Sequence, residues 1–310
     1  MTNNYKKATR VSRRDFCLYS LSSAFLAALA TTGIGSETTE QITLTKQTIK
    51  IKNLPPAFNN YKIAFLTDLH FSAYLPHALI ERAVEITNQQ EPNLILLGGD
   101  YIWLPDHPPV FGVLPYRNTV IEAVPASKKL EALYSETGSM LKYLKASDGI
   151  FGVLGNHDRW EGAKLCTNIF SENGIKILVN ESEEIVHRGD ALMIYGSDDF
   201  WTGTPSLPMN LTQENQTRIL LSHNPDFVAD SIKKGFSDFS LALCGHTHGG
   251  QIKLPLVGAP FYNVKNREFR EGLVEKRGYN VYTSRGIGVV EIPVRINCPP
   301  EVALINLTAA

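Results

Sequence analysis

Five short apolar segments of this chain are each followed by polar residues with side chains that can bind metals. The segments span residues 62–67, 94–97, 149–154, 218–222 and 240–244. The polar residues that follow them are Asp68, His70, Asp100, Asn156, His157, His223, His246 and His248. Short apolar runs without alternation are typical of strands that are buried on both faces. We therefore expect strands whose carboxyl ends carry the chemistry of the protein.

Helical patterns separate the first three of these strands. Residues 77–90 place Leu79, Ala83 and Ile86 on one face, and residues 127–145 repeat the spacing. Alternation of strand and helix predicts an α/β sheet that is covered on both faces. In open α/β sheets the ligand crevice lies at the carboxyl ends of the strands. The polar clusters should therefore converge at one edge of the fold.

The remaining patterns predict mostly strands. A helix is expected near residues 226–234, and the further strands span 42–51, 175–178, 184–187, 192–196, 279–283, 288–292 and 302–307. We expect the three strands of the tail to be antiparallel and to close a second sheet.

Charge and cysteine content exclude two classes of protein. The 310 residues include 30 basic and 31 acidic side chains without a long basic run, so no nucleic acid partner is expected. The four cysteines share no CxxC spacing, which argues against a zinc-thiolate site. Cys244 lies in an apolar run and is expected to be a buried hydrophobic residue. A disulfide between two of the others stays open.

The N-terminus is typical of an export signal, because basic residues precede an uncharged apolar run at 18–30. Residues 12–16, Ser-Arg-Arg-Asp-Phe, are similar to the twin-arginine signal pattern, from which Cys17 departs. We expect residues 1–35 to be a signal peptide that the twin-arginine translocation machinery recognises, and residues 36–310 to be the catalytic domain. The protein would then lie on the periplasmic or extracellular side. An uncleaved anchor, with membrane association on the cytoplasmic face, is the alternative.

The residue types predict a particular metal chemistry. Residues two apart in an extended segment point to the same side, so Asp68 and His70 can hold one ion, while His246 and His248 can serve two neighbouring ions. One carboxylate can bridge a metal pair. Imidazole and oxygen ligands without thiolate suit Mn, Fe or Zn ions. Two such ions can clamp a phosphoryl group and activate a water as the nucleophile.

In order and spacing, these residues resemble the motifs of the calcineurin-like metallophosphoesterases over about residues 60–250. The motifs are Asp68-x-His70, Gly99-Asp100, Gly155-Asn156-His157-Asp158, His223 and Gly245-His246-x-His248. With the twin-arginine-like leader, the run from Gly245 to Gln251 is more narrowly similar to the bacterial exported phosphodiesterases of the YaeI group.

The resemblance implies a four-layer α/β/β/α sandwich of two mixed sheets and a dinuclear metal centre. Asp68, His70 and His248 would hold the first metal, Asn156, His223 and His246 the second, and Asp100 would bridge them. His157 would be catalytic, since it would protonate the leaving oxygen or stabilise the charge of the transition state. Asp158 is expected to orient its histidine neighbour. Arg159, with Arg285 as a weaker candidate, is expected to bind the substrate phosphate.

One residue departs from the family motif, and the role of one long connector has two alternatives. The family usually has aspartate or asparagine three residues after its Gly-Asp, where this chain has Trp103, so the carboxylate that orients the ligands must come from elsewhere. The connector at 101–126 follows Asp100 directly and is rich in proline and apolar residues. It is either an apolar lid over the substrate or a packing loop.

Three functions compete on this basis. The first is an exported phosphodiesterase that hydrolyses a small-molecule or lipid-linked phosphodiester with two divalent metal ions. The second is a membrane-associated UDP-2,3-diacylglucosamine pyrophosphatase of lipid A synthesis, an activity found among similar proteins. The third is a non-catalytic scaffold of the same fold. The complete set of ligand residues favours an enzyme over a scaffold.

Overall fold

The computed structural model describes residues 41–73, 75–104, 124–207, 216–291 and 294–310. The expected leader and the central part of the connector at 101–126 lie outside these residues. None of the described helices is both long enough and apolar enough to cross a membrane.

The first sheet has six strands and mixed polarity. In order across the sheet they are β1 (Thr43–Ile51), β12 (Glu301–Ala309), β2 (Tyr61–Leu66), β3 (Leu94–Leu97), β4 (Ile150–Gly152) and β5 (Lys176–Ile177). Strands β2 to β5 are parallel, as are β1 and β12, whereas β12 and β2 are antiparallel. The carboxyl ends of β2, β3 and β4 therefore lie side by side.

The second sheet also has six strands, with parallel strands at its centre. In order across the sheet they are β10 (Gly272–Lys276), β11 (Tyr279–Thr283), β9 (Leu241–Cys244), β8 (Arg218–Ser222), β7 (Asp190–Gly196) and β6 (Glu181–His187). Only the outer pairs, β10 with β11 and β7 with β6, are antiparallel. The carboxyl ends of β8 and β9 are thus neighbours.

Four α-helices and three 3-10 turns complete the described fold. The helices are α1 (His77–Gln89), α2 (Lys129–Leu141), α3 (Asn156–Glu172) and α4 (Pro225–Lys233), and the turns are Pro56–Phe58, Ala126–Lys128 and His248–Gly250. Helix α3 was not predicted, because its sequence is polar and Gly162 interrupts it with a φ of 155°. The turn after β4 is therefore the first turn of a helix.

Three apolar cores separate four layers. The first core joins α1, α2 and α3 to the outer face of the first sheet, and the second fills the space between the sheets. The third joins α4 to the second sheet. In β2, Ala64 and Leu66 face the helices while Ile63 and Phe65 face the other sheet, which explains the continuous apolar run. The predicted α/β/β/α sandwich of two mixed sheets is confirmed.

The expected role of the tail was wrong. Strand β12 belongs to the first sheet, and β11 pairs parallel with β9, so the tail does not close the second sheet with antiparallel strands. Residues 288–291 form no strand. The apolar pattern of β12 marks a strand buried on both faces, but it carries no information on which of two sheets receives it.

The described cysteines contribute to packing. Cys166, Cys244 and Cys298 are buried free thiols. Cys244 belongs to the core between α4 and the second sheet, which confirms its expected role as a buried hydrophobic residue.

A buried carboxylate links the two sheets next to the strand ends. Glu301, the first residue of β12, accepts hydrogen bonds from Tyr282 Oη at 2.6 Å, Ser284 Oγ at 3.1 Å and the Arg285 amide at 2.8 Å. Burial alone would raise the pKa of Glu301, but the charge of Arg285 and the hydrogen bonds lower it below its usual value. The ionised form therefore stabilises the fold.

Replacing this carboxylate should destabilise the protein in a pH-dependent way. We expect Glu301→Gln to lower the free energy of unfolding at pH 7 by about 1.5–3 kcal/mol, the range for hydrogen bonds to a charged group. Because the folded-state pKa is depressed, the difference should be complete above the unfolded pKa of about 4.3 and disappear as the pH falls through the folded value. Urea denaturation measures both. Glu275→Gln, on the exposed side of β10, is the control, and an equal loss in both variants would contradict the prediction.

Candidate metal centre

The polar clusters converge at one edge of the sandwich. The loops after β2, β3 and β4 meet the loops after β8 and β9, and all seven predicted ligands are buried there. The amide of His246 donates to both carboxylate oxygens of Asp68 at 3.0 Å, which joins the two sheets directly. The seven side chains form two groups, with Asp100 between them.

The first group contains Asp68, His70 and His248. The Nε2 atoms of the two histidines lie 3.1 Å apart, and Oδ1 of Asp68 lies 3.5 Å from Nε2 of His248 and 3.9 Å from Nε2 of His70. The ligand atoms of all three residues lie within 4.8 Å of one another. A single ion can therefore reach all three.

The second group contains Asn156, His223 and His246. Nε2 of His223 lies 3.2 Å from Oδ1 of Asn156 and 3.1 Å from Nδ1 of His246. One ring nitrogen carries at most one proton, so it cannot satisfy several such neighbours by hydrogen bonding. A cation held by these three side chains would satisfy them together.

Asp100 lies between the two groups. Its Oδ2 is 3.5 Å from Nε2 of His70 and 3.2 Å from Nε2 of His223. Its Oδ1 accepts a hydrogen bond from the backbone amide of His157 at 2.8 Å. The structure thus puts Asp100 where a bridging ligand would stand.

His157 lies beside the two ligand groups, on the side of the site that solvent reaches. Its ring packs edge-on against His70, with centroids 4.9 Å apart, and the side chain is partly exposed. His157, His70 and Asp100 also lie close enough to share an ion. The assignment of His157 to catalysis rather than to metal binding stays a prediction.

The backbone of the site is left-handed, which corrects the extended geometry expected for these loops. Five of the seven predicted ligands have a positive φ: Asp68 (52°), His70 (44°), Asp100 (55°), His246 (70°) and His248 (52°). Asp68 and His70 reach one site because of this sharp turning, not because alternate residues of a strand share a side. Non-glycine residues adopt this region rarely, and it is often found at functional sites.

Hydrogen bonds fix which nitrogen of two histidines is free. Nδ1 of His223 lies 2.8 Å from the carbonyl of Gly98, so this nitrogen carries the proton and Nε2 faces the second group. Nε2 of His246 lies 3.0 Å from the carbonyl of Asn263, so its Nδ1 is free in the same way. Metal-binding histidines are typically oriented by such bonds.

The protonation states fit a cation. Burial lowers the pKa of His70 and His248 well below the usual value and that of His246 to about 3, so these rings are neutral ligands at pH 7. Burial would also lower the pKa of His223, but the charge of Asp100 raises it to about 10. His223 and Asp100 would have to give up the proton between them to hold a cation, since a ligand imidazole must be neutral. The donor set therefore fits divalent transition-metal ions.

Glycines allow the loops of the site to approach one another closely. A Cβ on Gly155 would collide with the carboxylate of Asp100, and one on Gly245 would collide with Thr67 and Asp68. Both glycines precede a predicted ligand, so the glycines of the motifs are explained by close approach.

Asp158 is a buried carboxylate that supports the loop of Asp100. Its Oδ2 accepts from the amides of Asp100 at 2.7 Å and Gly155 at 2.9 Å, and its Oδ1 accepts from the amide of Tyr101 at 3.0 Å. It therefore orients the backbone of Asp100, whereas we expected it to orient His157. Trp103 is buried, with its amide bonded to the carbonyl of Phe71 at 2.9 Å.

Arg295 supports the site and was not predicted. This buried guanidinium donates to the carbonyls of Gly288 at 2.6 Å and Arg285 at 2.9 Å, and its Nη2 lies 3.3 Å from Nδ1 of His248. It fixes the loop between β11 and β12 behind the first group. Its position 47 residues after His248 gives no local signal, since no periodicity marks a buried arginine.

The two arginines expected to bind phosphate are both engaged with carboxylates. Arg159 Nη2 lies 3.3 Å from Asp198 Oδ2, and its side chain is 29% exposed. Arg285 Nη2 lies 3.7 Å from Glu301 Oε1. Arg159 borders the site through its neighbour His157, so its contact with substrate stays a prediction.

The support from Asp158 should be measurable as metal affinity. We expect Asp158→Asn to weaken metal binding by about 10- to 100-fold, the usual effect of losing a group that orients a ligand. The replacement presents an amide NH₂ to backbone donors and loosens Asp100. Competition with a chromophoric chelator measures the affinity. Asp190→Asn is the control, because Asp190 accepts from the amide of Ala57 away from the site. Equal affinities in the two variants would refute this role.

Comparison with known proteins agrees with this geometry. Residues 61–250 match the family model described as calcineurin-like phosphoesterase. The chain is 33% identical to the phosphodiesterase YaeI of Escherichia coli (strain K12) over 252 residues, which are 80% of this chain and 82% of that protein. It is 27% identical to the uncharacterized metallophosphoesterase YkuE of Bacillus subtilis (strain 168) over 96% of this chain and 98% of that protein.

A solved structure is similar at lower identity. The NAD nucleotidase of Haemophilus influenzae aligns with a TM-score of 0.47 and 14% identity, over 76% of this chain and 49% of that protein. The chain thus spans about half the length of that neighbour, and nothing about its activity transfers on this likeness. The family match and the YaeI relative decide the question: the chain belongs to the calcineurin-like phosphoesterase family.

Proposed function

We propose that this chain, a metal-dependent phosphoester hydrolase by its family, is an exported phosphodiesterase with a dinuclear metal centre. The observation that carries the proposal is the meeting of seven ligand-type side chains in two groups that share Asp100. The similarity to a phosphodiesterase supports the choice of a diester substrate. The substrate class is a small-molecule or lipid-linked phosphodiester.

The two groups divide the ligands. Asp68, His70 and His248 would hold one ion, and Asn156, His223 and His246 would hold the other, with Asp100 between them. The ions would be Mn, Fe or Zn, since the donors are imidazole and oxygen.

When bound, the metal pair supplies Lewis acidity toward the phosphoryl oxygens and lowers the pKa of water at the site. The chain itself contributes position and protons. Asp158 holds the loop of Asp100 in place, and the Gly98 and Asn263 carbonyls fix the rings of His223 and His246. His157 has its amide anchored on Asp100 and its ring at the entrance, from where it would protonate the leaving oxygen.

The direct test is a metal-reconstituted substrate panel on the full chain. We expect hydrolysis of a generic phosphodiester that disappears on chelation and returns with Mn, Fe or Zn ions. The panel should also include a phosphomonoester, nucleotides and a UDP-sugar lipid. These substrates distinguish a phosphodiesterase from a phosphomonoesterase, a nucleotidase and a UDP-sugar-lipid pyrophosphatase. Failure to hydrolyse any member with any metal would overturn the enzyme proposal and favour a scaffold.

Two substitutions test the division of roles. His157→Ala should reduce kcat by about 10²- to 10⁴-fold, the usual contribution of general acid catalysis, with metal content unchanged. Asp100→Asn should lose both activity and metal, because it removes the shared ligand. Metal analysis of the purified variants accompanies the kinetics. Loss of metal in His157→Ala would show that His157 is a ligand.

Export is a separate part of the proposal. We assign residues 1–35 as the twin-arginine signal and residues 36–310 as the enzyme. This route carries folded proteins, so metal could be loaded before transport. Replacing Arg13 and Arg14 by lysine should therefore leave the precursor inside the cell, as measured by fractionation and blotting. Unchanged export would rule out the twin-arginine route.

A further inference from the structure

The exposed large apolar side chains are not spread evenly over the described surface. They are Tyr143, Trp160, Val186, Trp201, Leu256, Val257 and Phe261. Five of them belong to three segments that border the metal centre. We call Trp160, Trp201, Leu256, Val257 and Phe261 the apolar rim. Clustered exposure of this kind marks a surface that binds something, whereas isolated apolar residues need no explanation.

Both tryptophans of the rim touch a histidine of the site. The ring of Trp160 packs edge-on against His157 with centroids 5.2 Å apart, and the ring of Trp201 packs edge-on against His246 at 4.3 Å. Their side chains are nevertheless 59% and 44% exposed. Each indole therefore contacts a histidine of the site and exposes much of its surface to solvent.

The other three rim residues lie on the segment that follows His248. Leu256 and Val257 form the tip of a hairpin closed by Leu254 and Gly258, and they are 108% and 74% exposed. Phe261 follows at 76%, two residues before Asn263, whose carbonyl holds His246. The segment that follows the hairpin thus reaches His246 through Asn263, and Trp201 reaches the same histidine from another segment.

The segment that carries Trp201 is held rigidly. Oδ2 of the buried Asp199 accepts from the amides of Trp201 at 2.9 Å and Thr202 at 2.7 Å. The ion pair of Arg159 with Asp198 ties this segment to the one that carries Trp160. The loop that presents the Trp201 indole to water is therefore fixed by backbone hydrogen bonds and an ion pair.

Charge indicates what covers the rim. The segment 253–271 carries four basic residues and two acidic ones, and Lys265, Arg267 and Arg270 are exposed just after the hairpin. Tryptophan, leucine and phenylalanine beside cations are the composition of surfaces that enter the boundary of an anionic bilayer. Arg270 lies over the ring of Tyr262, and an apolar protein partner would offer no opposite charge to Lys265 and Arg267.

We propose that the apolar rim docks on the surface of an anionic lipid bilayer, so that the metal centre acts on phosphodiesters carried by lipids. This inference rests on the proposed phosphodiesterase activity and narrows its substrate to the lipid-linked class. The hairpin tip enters the headgroup region, and the two tryptophans lie at the boundary on either side of the entrance. A lipid phosphate then reaches the site without leaving the membrane surface.

Tryptophan fluorescence of the full chain tests the docking without any turnover. The three tryptophans are Trp103, which is buried, and the rim residues Trp160 and Trp201, and residues 1–40 contain none. Vesicles of equal parts phosphatidylglycerol and phosphatidylcholine should shift the emission to shorter wavelengths, and brominated acyl chains should quench it. Since the N-terminal segment has no tryptophan, its own binding to vesicles cannot produce the quenching.

A variant of the tip tests the same contact by partitioning. We expect Leu256→Ser with Val257→Ser to lose the quenching and to bind vesicles at least about tenfold more weakly, because burial of two aliphatic side chains is lost. Turnover of a soluble diester should be unchanged, and turnover of a vesicle-borne diester should fall. The control, Tyr143→Ser with Val186→Ser, replaces two exposed apolar residues at the opposite edge, since Val186 pairs with Ala191 near the beginning of β7.

The outcomes separate the two proposals. Quenching that disappears in the tip variant and persists in the control supports docking. Absence of quenching in the unmodified chain, or equal vesicle binding in the tip variant and the control, overturns docking even if the soluble diester is hydrolysed. Absence of hydrolysis of both the soluble and the vesicle-borne diester, with intact quenching, overturns the phosphodiesterase proposal and leaves a lipid-binding surface.

Discussion

The meeting of Asp68 with the Gly245–His246 turn holds this site together. Parallel strands at the centres of two different sheets end at the same edge, and the His246 amide donates to the Asp68 carboxylate across the gap between them. The ring of His223 makes a second link by its bond to the carbonyl of Gly98. Only glycine at 245 permits the approach, because a Cβ would collide with Thr67 and Asp68. Each ligand group takes residues from both sheets, so without these links neither group would be assembled.

Such a site concentrates buried charge. Asp68, Asp100 and Asp158 are each at most 2% exposed, and carboxylates in a low-dielectric interior are costly unless paired. Burial accordingly raises the pKa of Asp68 to about 6 and that of Asp158 to about 8, whereas the neighbouring histidines keep the pKa of Asp100 low. Backbone amides satisfy Asp158, and the neighbouring imidazoles partly satisfy Asp68 and Asp100. The remaining imbalance explains why the residues fit a cation so well. Metal binding should therefore also stabilise the folded loops at the edge where the two sheets meet.

The sequence predicted the local chemistry better than the long-range assembly. The apolar runs at 62–67 and 94–97 end where β2 and β3 end, and the polar residues after them are the ones that the structure brings together. Periodicity could not assign β12 to the first sheet, because a strand buried on both faces looks the same in either sheet. It also missed α3, whose polar sequence is interrupted at Gly162, and Arg295, whose partners are carbonyls distant in sequence. The role of Asp158 needed the structure because its partners are amides, which every residue has.

The left-handed backbone of five predicted ligands has a consequence for the stability of the fold. Aspartate or histidine in this conformation costs about 1–2 kcal/mol relative to a residue without this strain, and glycine would avoid most of it. Glycine at any of these five positions would therefore raise the stability of the fold and lower the affinity of the site for metal. Stability alone therefore gives no reason for aspartate and histidine at these five positions.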